Sequence, residues 1–171
     1  RLFSFDGTTG AVTDVGDVSY QGQGVNADAL AFDGNRLLAF LLEANGSRLV
    51  QIDSATAVAT SLAFFDGTEM RGSTYRNGRL YTLDVTEDVH NRSTIIDLAD
   101  YSTITANLDT RIANGCDLDF DASGTLWVAE SNAFHTLDPL TGVLTFVAAD
   151  QVQQSGGFYV YNPGFAFDET V

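Results

Sequence analysis

A repeat of about 44 residues is the feature that most constrains how this chain can fold. One marker of the repeat is an aromatic residue, whose successive copies lie 43, 45 and 47 residues apart by subtraction: Phe32, Tyr75, Phe120 and Phe167. A second marker is an aspartate, with intervals of 47, 44 and 41 residues: Asp6, Asp53, Asp97 and Asp138. Because two independent markers keep one period, the chain is built from copies of a single supersecondary unit.

Each unit reads as four short strands, a to d, joined by tight turns. Residues 28–40 and 116–128 share an alternating strand, an Asp-rich or Gly-rich turn and a second apolar strand. Asn45-Gly46 and Asn77-Gly78 are strong hairpin signals. No stretch shows a helical period, and a repeated four-stranded unit of this length is typical of β-propeller blades, which pack face to face around a channel. The predicted fold class is therefore all-β, made of four-stranded antiparallel β-propeller blades.

The repeat boundaries predict a partial propeller, or one of about four blades, with strand a innermost. The expected parts are strands c and d in residues 1–20, complete blades in 24–66, 67–110 and 112–149, and the first strand of a further blade in 157–171. Since the two ends together lack a strand b, we expect open blade faces that further blades, another protein or another copy of the chain would cover. The alternation of the strands predicts these core residues: Leu30, Phe32, Leu38, Phe40, Leu49, Ile52, Leu80, Leu118, Phe120, Leu126 and Val128.

Charge excludes several classes of partner. The chain carries 23 acidic and 8 basic residues, all of the basic ones arginine, for a net charge of −15. Nucleic acids and anionic membrane surfaces are disfavoured because they would be repelled, and no apolar run reaches the roughly 18 residues that suggest membrane insertion. Cys116 is the single cysteine and there are two histidines, so a metal site would use oxygen ligands rather than cysteines or three histidines.

One blade carries a recognisable motif. Residues 120–130 read Phe-Asp-Ala-Ser-Gly-Thr-Leu-Trp-Val-Ala-Glu, and residues 135–142 read His-Thr-Leu-Asp-Pro-Leu-Thr-Gly. This pair of segments resembles the blades of the NHL, YVTN and SMP-30/gluconolactonase-like propellers. In the last group a divalent ion is held at the channel mouth, and one ligand is an aspartate four residues before the strand-a aromatic. The resemblance implies that role for Asp28, whereas Arg71 and Cys116 depart from it at the equivalent positions.

Asp117, Asp119 and Asp121 alternate before Gly124 and superficially match a Ca²⁺-binding loop. Residues two apart on a strand are about 7 Å apart, too far for three carboxylates to converge on one ion. The alternative interpretation is an acidic strand followed by a turn-forming Asp121. The candidate metal ligands that remain to be tested are Asp28, from the resemblance, and Asp117 and Asp119, from this string; Ca²⁺ is the only cofactor considered. No catalytic residue is predicted, because no motif places a serine or aspartate beside His135.

Three functions are compatible with these features. The first is a non-catalytic interaction or assembly module of an exported, extracellular or periplasmic propeller, which docks protein subunits, further blades or a second copy. The second is a Ca²⁺-dependent lactonase-like hydrolase, with Glu43 or Glu130 as further ligands. The third is carbohydrate binding through exposed aromatic residues such as Trp127. Calcium-dependent stabilisation, glycan binding and a concentration-dependent mass would distinguish them, and the first is the one that needs no site.

Overall fold

The structure is a computed structural model that describes residues 1–86, 90–112, 116–130 and 133–149. All regular secondary structure in these residues is β-strand, and no helix is present in them. This confirms the predicted all-β class. None of the described segments therefore supplies a helix able to cross a membrane. The chain divides into two compact units, Arg1–Gly67 and Thr68–Val171, and each is described by itself.

Short antiparallel strands joined by turns follow one another along the described chain. Their bounds are β1 Leu2–Phe5, β2 Val12–Gly16, β3 Ser19–Tyr20, β4 Gln23–Gly24, β5 Ala27–Phe32, β6 Leu37–Glu43, β7 Gly46–Ile52, β8 Val58–Asp66, β9 Met70–Arg76, β10 Arg79–Thr86, β11 His90–Asp97, β12 Thr103–Asn107, β13 Asp117–Phe120, β14 Leu126–Glu130, β15 Ala133–Leu137 and β16 Leu144–Ala149. Residues 157–171, where the first strand of a further blade is predicted, lie outside the described residues.

The first unit contains a two-stranded sheet, β1-β2, and a six-stranded sheet in the order β4-β3-β8-β7-β6-β5. In the larger sheet β5 to β8 form the predicted antiparallel meander. The two further strands are only two residues long, and β3 pairs in parallel with β8. A hydrogen bond of 3.0 Å from the Ser19 amide to the Ala57 carbonyl anchors this pairing. Strands this short have no readable period, so the sequence does not predict them.

The prediction that Leu30 and Phe32 are core residues is wrong. They are 52% and 61% exposed, whereas Ala29 and Ala31, on the other face of β5, are buried. The apolar cluster on the face of Leu30 involves the strands beyond β5, and it consists of Val18, Ala39, Leu41, Val50, Ile52 and Ala59. Both faces of β5 carry apolar side chains, so alternation alone cannot indicate which face is covered. The other nine predicted core residues are buried, as expected.

The second unit contains two four-stranded antiparallel sheets, ordered β12-β11-β10-β9 and β13-β14-β15-β16. These sheets agree with the predicted blade architecture. Their first strands, β9 and β13, are in contact. One buried cluster joins the two sheets and includes Leu83, Val85, Ile112, Cys116, Leu118, Phe120, Leu126, Val128 and Leu137. The core of this unit therefore lies between two successive blades rather than inside one sheet.

The aspartate after each strand c closes the following turn. The Oδ1 atom of Asp6 accepts hydrogen bonds from the amides two and three residues later, at 2.8 and 3.1 Å. The same pattern occurs at Asp53 and Asp138, and Asp97 accepts one such bond. These amide donors lower the pKa of Asp6, Asp53 and Asp138. The recurrent aspartates therefore have a structural role.

Candidate functional site

The three predicted metal ligands do not all lie in one unit. Asp28 is an exposed residue of β5 in the first unit. Asp117 and Asp119 lie on β13 in the second unit and are partly buried. Asp119 accepts a hydrogen bond of 3.0 Å from the Thr74 hydroxyl. Asp117 and Asp119 also each accept a bond of 2.9 Å from the next backbone amide, so protein donors already engage both.

Within the described ranges, no three His, Cys, Asp or Glu side chains are grouped so that they could hold a metal ion. The two glutamates considered as further ligands are each paired with a basic side chain. Glu43 forms an ion pair with Arg48, and Glu130 lies 2.9 Å from the Nε2 atom of His135. The Ca²⁺ site stays a prediction.

A contact between two blades in the second unit provides a different candidate site. The rings of Tyr81 on β10 and Phe120 on β13 meet edge to face, with centroids 4.8 Å apart. Strands β9 and β13 can approach each other closely because Gly72, on β9, has no side chain. A Cβ atom there would lie 2.9 Å from the Cys116 carbonyl oxygen, and Gly72 has a φ of +57°. The two blades are thus held in fixed contact beside this aromatic pair.

The turn between β13 and β14 forms one wall of the site. Its Asp121 accepts hydrogen bonds from the Ser123 hydroxyl at 2.7 Å, the Thr125 amide at 2.9 Å and the Trp127 indole nitrogen at 2.9 Å. The Ser123 bond and then the Trp127 bond contribute most to lowering the pKa of Asp121 to about 2. The carboxylate is therefore ionised at neutral pH and fully used in fixing the turn.

Arg76, at the end of β9, is held against this turn. Its guanidinium lies over the Phe120 ring, 4.9 Å from the centroid. Gly124 is also close to the guanidinium, because a Cβ atom there would lie 2.9 Å from one terminal nitrogen of Arg76 and 3.1 Å from the other. A side chain at position 124 would displace the guanidinium, so the glycine is part of the Arg76 site.

These residues border an open pocket of about 800 Å³ between the two blades. The pocket is lined by Arg76, Asn77, Tyr81, Phe120, Ser123, Gly124, Thr125, Leu126, Thr136, Leu137, Asp138, Pro139, Thr141, Val143 and Thr145. Its wall combines one arginine, one aspartate and several hydroxyls with the aromatic pair. Its volume is within the range of small-molecule sites in proteins.

Asp84 and Cys116 are buried titratable groups of the second unit that lie away from the pocket. The buried Asp84 accepts a hydrogen bond of 2.8 Å from the Glu69 amide and one of 3.1 Å from the Arg92 Nε atom. Burial raises the pKa of the Cys116 thiol to about 12, so this cysteine is not a nucleophile at neutral pH. None of these groups borders the pocket.

The sequence interpretation missed Arg76 and Tyr81 as site residues. A signal for Arg76 was nevertheless present in the repeat. The residue after the anchoring aromatic is Asp33, Asp121 and Asp168 in three repeats, and it is an arginine only at position 76. Tyr81 has no comparable signal, because a partly buried aromatic residue on a strand is most simply a core residue.

Comparisons with known proteins address the fold. No protein-family model matches the chain, and no curated protein matches it. Among solved structures, TolB from Acinetobacter baumannii is similar, with a TM-score of 0.58 and 16% identity over 86% of this chain and 37% of TolB. The fold is that of a β-propeller. The propeller glutaminyl cyclase of Myxococcus xanthus matches with a TM-score of 0.48 and 18% identity over 71% of this chain and 51% of its own.

This propeller chain spans about half or less of the length of these two solved structures. At such identities the likeness shows the fold alone. The narrower resemblance to the NHL, YVTN and SMP-30/gluconolactonase-like propellers stays a prediction.

Proposed function

We propose that this propeller is a non-catalytic assembly module whose first unit docks another polypeptide. The observation that carries the proposal is the exposure of Leu30 and Phe32 on β5. Large apolar side chains that stand side by side on an exposed strand face are typical of a protein-binding surface. Phe3, Phe5 and Val12 of the β1-β2 sheet are exposed in the same unit.

In the second unit, the strand that is equivalent to β5 in the repeat is β13, and its apolar face is covered. Leu118 and Phe120 of β13 correspond in the repeat to Leu30 and Phe32 of β5. They are only 2% and 9% exposed, because they pack against the preceding blade through residues such as Leu83 and Tyr81. The equivalent surface on β5 is therefore of the kind that a propeller blade buries.

We propose a second copy of this chain as the occupant. Another copy carries blades of the same kind as the one that covers Leu118 in the second unit. Association would remove apolar area from water, at about 25 cal/mol per Å². Self-association is one way in which a repeat protein covers an exposed blade face, and most soluble oligomers are assemblies of identical copies.

Sedimentation across a hundredfold dilution tests the proposal. We expect the wild-type mass to rise with concentration and the double variant Leu30→Ser, Phe32→Ser to remain monomeric. Leu140→Ser is the matched control, because Leu140 is also an exposed leucine but lies in the second unit. It should leave association unchanged. A wild-type chain that stays an ideal monomer throughout the dilution series would refute the proposal. Export and a bound Ca²⁺ ion are not required by it and stay predictions.

A further inference from the structure

Arg76 differs from the other arginines in its electrostatic surroundings. Among the described residues, at least six of the eight arginines form an ion pair with a carboxylate: Arg1, Arg36, Arg48, Arg71, Arg79 and Arg92. Arg76 forms none with any residue that the structure describes, although the chain carries 23 acidic residues. Because carboxylates are so abundant here, an arginine without one, on the wall of a pocket, requires an explanation.

The guanidinium of Arg76 is held in place without a counter-charge. The Phe120 ring and Gly124 are both close to it. Its hydrogen bond to the Asp121 carbonyl oxygen is long, at 3.4 Å. A guanidinium has five N–H donors in a planar fork that fits a carboxylate with two parallel hydrogen bonds. Its one hydrogen bond within the described residues uses one of these donors, so most of them remain available to a ligand.

The rest of the pocket lining indicates what kind of molecule could carry the carboxylate that pairs with Arg76. Threonines line the pocket at four positions, 125, 136, 141 and 145, and their hydroxyls can both donate and accept hydrogen bonds. Tyr81 and Phe120 supply an apolar surface next to Arg76. A volume of about 800 Å³ accommodates a small organic molecule. The lining therefore favours a ligand with a compact body and several hydroxyl groups.

The charge of the whole chain limits the charge of the ligand. With a net charge of −15, the protein repels polyanions at distances up to the Debye length, about 8 Å at physiological ionic strength. Asp138 on the pocket lining adds a negative charge nearby. A single arginine can offset one ligand charge but not several.

We propose that the pocket binds a small hydroxylated monocarboxylate, with its carboxylate on Arg76 and its body against Tyr81 and Phe120. The proposal concerns a site in the second unit, and it does not depend on the docking of a second copy by the first unit. It assigns binding only and no reaction.

Titration followed by NMR tests the site, with glucuronate as the probe and glucose as the uncharged counterpart. We expect saturable shifts of the Arg76 Nε–H and Gly124 amide signals with glucuronate, at a dissociation constant of about 1 mM or lower. Arg76→Gln should weaken this binding at least tenfold, and glucose should bind at least tenfold more weakly than glucuronate. Arg79→Gln is the matched control, because Arg79 is a nearby arginine that pairs with Asp97 and is absent from the lining.

A second variant separates geometry from charge. Gly124→Ala keeps the arginine but would place a Cβ atom 2.9 Å from its guanidinium, and it also strains the turn, because Gly124 has a φ of +90°. It should weaken binding in a protein whose spectrum retains the dispersion of the folded state. Absence of saturable shifts with wild-type protein would overturn the proposal. Equal loss of binding in Arg76→Gln and Arg79→Gln would overturn it too, because nonspecific attraction to positive charge would then explain the shifts.

Discussion

Replacement of Gly142 by alanine tests how tightly successive blades fit together. Gly142 is the fifth residue of the turn that begins at Asp138, and its φ is +77°. A Cβ atom at this position would lie 1.9 Å from the carbonyl oxygen of Asn107, at the end of the outer strand β12. The Gly142 carbonyl also accepts a hydrogen bond of 3.1 Å from the Asp109 amide. The substitution therefore perturbs both the turn and its contact with the preceding blade.

The two effects can be separated with Gly78 as the control. Gly78 belongs to the same unit and has a φ of +81°, but a Cβ atom there would meet nothing within 4 Å. Alanine in a left-handed conformation costs about 1–2 kcal/mol, of which about 0.4–1 is recovered through the lower entropy of the unfolded chain. We expect Gly78→Ala to cost about 1 kcal/mol. Gly142→Ala adds an overpacking term of about 1–3 kcal/mol and weakens hydrogen bonds worth about 1 kcal/mol each, so we expect about 3 kcal/mol.

Urea unfolding followed by circular dichroism measures the difference. With a urea m-value of about 2 kcal/mol per molar, an excess of about 2 kcal/mol lowers the midpoint of Gly142→Ala by about 1 M relative to Gly78→Ala. Equal midpoints for the two variants would refute the reasoning. They would mean that β12 and the turn after β15 are not in contact in solution, and that only the backbone conformation makes glycine necessary.

Three further predictions concern single side chains. Phe120→Ala should lower the free energy of unfolding by about 3–5 kcal/mol, whereas Phe32→Ala should change it by no more than about 0.5 kcal/mol; similar losses would mean that Phe32 is buried in solution. Because the pKa of Asp121 is lowered to about 2 in the folded protein, its stabilising bonds are complete above the ordinary pKa of 3.8 and are lost as the pH falls through about 2. The fluorescence of Trp127, the single tryptophan, should therefore change with a midpoint near pH 2, and Asp121→Asn should abolish this transition. Cys116 should not react with a thiol reagent at pH 8 until urea unfolds the chain, since burial raises its pKa to about 12; rapid native reaction would contradict its burial.

Much of the fold could be predicted from the sequence because local chemistry repeats in it. Turn-closing aspartates and hairpin glycines have short-range effects that do not depend on tertiary contacts. Asp138 illustrates this, since it binds amides only two and three residues away. The alternation of β13 also predicts its buried face correctly at Leu118 and Phe120.

Whether a neighbouring sheet covers a given strand face could not be predicted in the same way. Leu30 and Phe32 have the same pattern as Leu118 and Phe120, yet the first pair is exposed and the second is buried. The difference lies in whether a neighbouring sheet covers the strand, and no local pattern encodes that. The pocket was missed for a related reason, because its walls come from two blades and Arg76 and Phe120 are far apart in sequence.

The position of Arg76 suggests where specific function resides in a chain of repeats. In two other repeats the equivalent residue, Asp33 or Asp121, accepts amide hydrogen bonds and closes the turn between strands a and b. The turn after Arg76 does not need such a carboxylate, because Asn77 and Gly78 adopt φ values of +50° and +81° and close it through their own backbone conformation. The position is thereby released from its structural role, and an arginine can occupy it and face the pocket. The residues that conform to the repeat pattern build the blades. Arg76, which departs from that pattern, is the residue that we assign to ligand binding.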